Sequence, residues 1–161
     1  MAGVVRESPV REGAVSAVLD LAAAQKALDA QPFSRLVQAR ITEFGHGVAT
    51  LEIDIREELL QQHGFVHGGV LSYAADNTLT FAAATALGTA IVTGGFSIQY
   101  LRPAVGRTLR ARAEVVQAGR RQAVCRCDLT VIGAEGEESV CAVAQGTVLP
   151  LNGPAGGNGE G

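Results

Sequence analysis

Tryptophan is absent from this chain, tyrosine occurs twice and phenylalanine five times, and only 18% of the residues are charged. Neither sign of charge dominates: 13 basic against 16 acidic side chains leave a net charge of −3. Wrapping nucleic acid needs a basic surface excess, so that class of partner is excluded. Cysteine is scarce and odd in number, at three. Cys125 and Cys127 would share one face of a strand, but no CxxC motif or histidine cluster accompanies them. They are expected to be buried small hydrophobes in a reducing cytoplasm rather than a metal or redox pair. The opening "MAGVVRESPVREG" is broken by Arg6, Glu7, Arg11 and Glu12 and has no continuous apolar stretch. A chain without a secretory leader, resident in the cytoplasm, is the expectation.

What is abundant is apolar residues, 47% of 161, enough for one compact domain with a sizeable core. The most apolar stretch, "GFVHGGVLSYAADNTLTFAAATALG" at 64–88, carries one charged side chain, Asp76. Its length would suit a membrane span, but Ser72, Asp76, Asn77, Thr78, Thr80 and Thr85 interrupt it and no cationic flanks mark its ends. A helix buried within a soluble protein is expected, with no membrane insertion.

Residues 14–29 are rich in alanine and leucine and predict a helix ended by Gln31-Pro32. In "ATLEIDIR", Ala49, Leu51, Ile53 and Ile55 alternate with polar partners, the period of a half-buried strand. Residues 35–43 are expected as its hairpin partner through Gly45-His46-Gly47. The same alternation returns at 109–115 and 122–131, separated by turns at Gly119-Arg120 and "GAEGEE", and a last strand is expected near 139–149. The order helix, two strands, long helix, four strands shows no βαβ alternation, so an antiparallel α+β fold is predicted. A strongly curved antiparallel sheet wrapping the long central helix would cover its apolar surface, with a partner subunit closing the remainder. The organisation is then an N-terminal segment with an extra helix (1–33), one domain (34–150) and a disordered glycine-rich tail (151–161).

"QQHGFVHGGVLSYAADNTLTFAA" followed by "FSIQYLRPA" resembles the hotdog-fold acyl-CoA thioesterases, in particular the phenylacetate-degradation (PaaI-type) branch. The shared pattern is an HGG turn, an acid nine positions after its histidine, and a later strand ending in a YLRP-like segment. The resemblance implies hydrolysis of an acyl-coenzyme A thioester, coenzyme A entering only as part of the substrate and no other cofactor. It further implies a homo-oligomer, a dimer or dimer of dimers (a homotetramer), with its sites at the dimer interface.

The residues support that chemistry on physical grounds. Gly68 and Gly69 stand where the loop turns into the helix and let a ligand approach the main chain. The first helical N–H groups lack internal partners and carry the positive end of the helix dipole, so Gly68 N–H suits an oxyanion. Asp76 lies ~12 Å farther along the same helix. One thioester carbon cannot touch both, so either only one of them matters or the site is composite, with Asp76 delivered by a second subunit across a twofold axis. Gly69, Ser72, Tyr73, Asp76 and Thr80 fall on one helix stripe, which places Gly69 and Tyr73 against substrate. Thr80 can bond the Asp76 carboxylate or a water, or bond back to a helix carbonyl.

Gln61 occupies the place of an Asn or Gln in the resembling enzymes and can aid the oxyanion or hold the water. His63 and His67 are four apart, but with glycines between them and no third ligand no metal is expected; His67 orders the turn or contacts substrate. Gly94 and Gly95 within a strand suggest close approach of a ligand such as the pantetheine arm. Thr93 lies where the resemblance puts a site hydroxyl. Arg102, Arg107, Arg120 and Arg121 are candidates for coenzyme A phosphates.

Asp76 is general base or nucleophile, and the residues leave both routes open. Two other readings stand beside hydrolysis: hydratase or dehydratase chemistry using His67 with Asp76, and a non-catalytic acyl-CoA-binding protein. The shortage of aromatics tilts the acyl preference toward aliphatic chains.

Overall fold

The structure is a computed structural model that describes residues 19–151. Two short helices, α1 (Leu21–Asp29) and α2 (Pro32–Val37), precede a hairpin of β1 (Arg40–Gly45) and β2 (Val48–Asp54). A single 3₁₀ turn at Glu57–Leu59 leads to the long helix α3 (Gly68–Leu87). Four strands follow: β3 (Ile91–Tyr100), β4 (Thr108–Ala118), β5 (Ala123–Ile132) and β6 (Glu138–Pro150). All six strands form one antiparallel sheet in the order β1-β2-β4-β5-β6-β3. This is the expected α+β architecture, a hotdog-like fold with α3 packed against every strand.

The period-two alternation builds the core. Leu51, Ala111, Leu129 and Ala142 are successive cross-strand partners, and all four are buried beneath α3. Small side chains line both surfaces, with Ala74, Ala75, Ala82 and Ala83 on the helix and Ala113, Ala123 and Ala144 on the sheet. Between them Leu79 of α3 is fully enclosed, and truncating such a leucine costs about 2–5 kcal/mol. Gly146 is required by packing: a Cβ there would lie 2.7 Å from Phe96 Cβ and 2.9 Å from Gly95 O. Cys125, Cys127 and Cys141 are free thiols inside this core.

Two local features differ from the sequence expectation. Residues 35–37 belong to α2 rather than to a strand, and β1 begins only at Arg40. Pro32 fits the first helical turn, where its missing N–H costs nothing, and burial of Ser34 and Val37 holds the short helix in place. The expected helix over 14–29 is observed as α1 from Leu21, started by Asp20, whose side chain accepts from Ala23 N–H. The part of that expectation at 14–18 and the expected disordered tail at 151–161, apart from Leu151, whose N–H bonds to Ala90 O at 2.8 Å, lie outside the described residues. Among the described residues, no helix is long and apolar enough to cross a membrane.

Candidate active site

α3 is capped by His67 at its start and by Gly88 at its end, where a φ of 85° suits glycine. His67 caps the helix with its own ring: Nδ1 accepts from Gly69 N–H at 2.9 Å. A neutral ring so engaged carries its proton on Nε2. The carbonyl of His67 takes Val70 N–H. Gly68 N–H makes no hydrogen bond among the described residues, so one donor is left over at the positive end of a 20-residue helix. Gln61 lies in the loop before it, its main chain paired with Phe65 and Gly64 and its side-chain oxygen accepting from His63 N–H.

Asp76 is half-buried near the middle of α3, facing β3. Thr93 donates to Asp76 Oδ1 at 2.6 Å. Thr80 Oγ1 stands 2.8 Å from Thr93 Oγ1 and 3.0 Å from the Asp76 carbonyl. Thr93 therefore holds the carboxylate directly, while Thr80 bonds back to its own helix and reaches the acid only through Thr93. Oδ2 has no hydrogen bond among the described residues.

A β-bulge makes this contact possible. β3 pairs Thr93 with Val148 and Gly95 with Thr147, so Gly94 is the extra residue. Phe96, Ile98 and Tyr100 share one face of the strand after the bulge, and the inserted residue brings Thr93 onto that same face. Gly94 tolerates no side chain comfortably, since a Cβ would lie 3.0 Å from Leu149 Cδ1. Gly95 opens to free space, with nothing within 4 Å of a Cβ, and both line a shallow depression on the β3–β6 surface.

Tyr73 turns toward α2. Its hydroxyl donates to Ser34 Oγ at 2.6 Å, Ser34 donates to Gln31 Oε1 at 2.8 Å, and Asn77 Nδ2 donates to the same oxygen at 3.0 Å. Burial raises the Tyr73 pKa against the opposing hydrogen bonds of Ser34 and Asn77. Phe33 packs edge-on against the Tyr73 ring at 5.1 Å. The helix stripe bearing Gly69, Asp76 and Thr80 is thus flanked by α2 on one side and β3 on the other.

Tyr100 and Ser72 were not singled out by sequence as site residues. Tyr100 Oη lies 2.8 Å from Ser72 Oγ and 3.1 Å from Gly68 O, across the helix start. The "YLRP" stretch was visible, but a contact spanning 32 residues had no local signal. Of the four arginines considered, Arg102 and Arg107 sit in the β3–β4 connection, tied to the Gly68 end through Val66 N–H to Ala104 O at 3.0 Å. Arg120 and Arg121 lie in the β4–β5 turn at the opposite end of the sheet. Among the described residues no three His, Cys, Asp or Glu side chains gather in a way that could hold a metal ion.

A long helix held in an antiparallel sheet is a hotdog-like fold, here with a carboxylate at the middle of the helix and a free N–H at its start. The family described as the Thioesterase superfamily matches residues 63–134. A putative esterase of Archaeoglobus fulgidus is 31% identical over 119 residues, 73% of either chain. Among solved structures, a thioesterase family protein of Silicibacter pomeroyi shares 30% identity with a TM-score of 0.76, covering 81% of this chain and 96% of its own. The phenylacetic acid degradation protein PaaI of Thermus thermophilus shares 30% identity with a TM-score of 0.65, covering 75% of this chain and 100% of its own. The chain belongs to the thioesterase superfamily.

Proposed function

We propose that this protein hydrolyses acyl-coenzyme A thioesters at a site shared between two subunits. Membership of the superfamily supports thioester hydrolysis, and the observation that carries the residue assignment is the Asp76–Thr93 pair. That pair fixes one carboxylate oxygen and leaves the other free on an accessible stripe of α3.

In the general-base route, Asp76 Oδ2 takes a proton from water as the water oxygen bonds to the thioester carbon. The carbonyl electron pair moves onto oxygen, where Gly68 N–H of the other subunit and the Gln61 amide receive it. Collapse breaks the C–S bond, and the proton held by Asp76 goes to the departing thiolate, giving free acid and coenzyme A. In the nucleophilic route Asp76 itself bonds to the carbon, the thiolate leaves, and water then cleaves the mixed anhydride. Thr93 positions the carboxylate in both routes, and Thr80 supports Thr93. His67 presents Nε2–H near the thioester, and Gly69 and Tyr73 line the acyl side. Gly94 and Gly95 leave room for the pantetheine arm, and Arg102 and Arg107 meet phosphates at the Gly68 end. The active assembly is a homodimer or a dimer of dimers working in the cytoplasm.

The test is turnover of a panel of aliphatic and aromatic acyl-CoA esters, followed with a thiol-detecting reagent. Hydrolysis that disappears in Asp76→Asn is expected. Silence across the panel with ligand binding retained would favour a non-catalytic acyl-CoA-binding protein.

A further inference from the structure

The oxyanion donor proposed above sits beside the most pliable backbone of the site, two successive glycines. The donor N–H lies on the His67–Gly68 peptide, and a loose Gly68–Gly69 peptide next to it would let Gly68 wander and weaken charge stabilisation. In this chain the Gly68–Gly69 peptide is fastened at both ends. Its N–H donates to His67 Nδ1 at 2.9 Å, and its carbonyl accepts from Tyr100 at 3.1 Å. Because a carbonyl only accepts, the Tyr100 hydroxyl proton is committed to Gly68 O. Ser72, 2.8 Å away, must then donate to Tyr100 Oη. The result is a directed chain, Ser72 to Tyr100 to Gly68, in which each bond polarises the next.

Packing repeats the message. A Cβ on Gly68 would lie 3.3 Å from Tyr100 Oη and 3.4 Å from its Cζ, and a Cβ on Gly69 would lie 3.0 Å from His67 Nδ1. Neither glycine has a positive φ. Both are explained by what rests on them rather than by backbone angle. Tyr100 is 53% exposed, so its burial is a poor account of its placement.

We infer that Tyr100 is a positioning residue for the reaction: by holding Gly68 O it anchors Gly68 on one side, while the preceding peptide that carries Gly68 N–H is held by His67 O accepting from Val70 N–H, and Ser72 acts through Tyr100. This rests on the proposed role of Gly68 as oxyanion donor. Tyr100 comes from β3, the strand that also supplies Thr93 to Asp76, so one strand aligns both halves of the chemistry.

The experiment uses full-length Tyr100→Phe, Ser72→Ala and the double variant. Tyr100→Phe lowers kcat roughly three- to tenfold, the worth of one ordinary hydrogen bond, with KM within about twofold. Ser72→Ala gives a smaller drop, and the double variant is no slower than Tyr100→Phe alone, because Ser72 works through the missing hydroxyl. A readout that needs no substrate is amide exchange: Gly69 N–H exchanges faster in Tyr100→Phe while residues 78–83 do not change. Unaltered kcat, an additive double variant, or a lowered melting temperature with neither a kcat effect nor faster Gly69 exchange would overturn the inference. If the wild-type protein hydrolyses no acyl-CoA, the thioesterase proposal fails on that result, and Gly69 exchange decides the positioning role by itself.

Discussion

The sheet has two edges, and they are built in opposite ways. At β1, α1 packs alongside the strand and Gln25 Oε1 accepts from Ile41 N–H at 2.7 Å. A bulge follows between Ile41 and Glu43, and charged side chains crowd the surface: Arg40 pairs with Asp54 at 2.8 Å and Arg112 with Glu43 at 3.2 Å. These are the devices that stop an edge strand from adding another. At β3, among the described residues, only the bulge recurs, at Gly94, with no charge and no side-chain cap on the strand's outer side. "IVTGGFSIQY" has no charged residue and no proline, and Val92, Phe96 and Tyr100 are exposed. Among the described residues no strand pairs with its outer side. An uncharged ten-residue edge of this kind is where the proposed partner subunit would pack. It is also the strand that touches Asp76, Thr80, Gly68 and Ser72. The proposed dimer edge therefore coincides with the proposed chemistry, whereas the β1 edge is capped by α1.

Substitutions can break this contrast. The largest effect falls on the open side: Asp76→Asn loses at least ~10²-fold in kcat while the melting temperature holds, if the carboxylate is the base. Placing charge on the open edge, with Ser97→Lys and Gln99→Lys together, sets like charges against their own copies and weakens association about tenfold by sedimentation. Thr42→Lys on β1 leaves the oligomer unchanged in the same measurement. At the closed edge, Gln25→Ala strips Ile41 N–H of its acceptor and costs ~1 kcal/mol in urea unfolding, with activity retained.

The thiols sharpen the picture of the core between the edges. Burial pushes Cys125 up to about 11 and Cys127 up to about 12 from the ordinary 9.0. Above pH 9 the unfolded chain loses these protons while the folded chain keeps them. Stability is therefore intact at neutral pH and falls as pH climbs from about 9 toward 12. Urea midpoints at pH 7.5 and pH 10 check the sign, and thiol labelling of the native protein at pH 8 should be slow.

Much of the core was legible because period two is a local signal. Leu51 and Ile53, Leu109 and Ala111, and Cys125, Cys127 and Leu129 all alternate into the core as their spacing predicts. α2 was not legible: six residues, "PFSRLV", are too few to display a helical period, and neighbouring β1 drew them into a strand. In the site, Gly68 and Gly69 stood out as a glycine pair at a helix start and Asp76 as the one charge in an apolar run, and the family resemblance joined them. The partnership of Asp76 with Thr93 did not stand out, because it depends on the Gly94 bulge shifting the alternation of β3, and a glycine pair announces a bulge without saying what it re-aims. Tyr100 escaped for a similar reason, since its partners come from a helix far back in the chain.

The composite site can be tested by mixing two inactive proteins. Gly68 is the first residue of α3, and His67 before it has φ −60° and ψ 135°, angles suited to a residue preceding proline. Gly68→Pro therefore removes that N–H with the helix kept, the exposed end of the Tyr100 ring giving by a few tenths of an ångström to admit the new Cβ. Asp76→Asn and Gly68→Pro proteins, each inactive alone, are unfolded together and refolded as mixed dimers. If Asp76 serves the Gly68 of the other subunit, each mixed dimer holds one intact site, and the mixture recovers about a quarter of wild-type activity. If both groups act within one chain, every site in every dimer is defective, and the mixture stays as inactive as its parents.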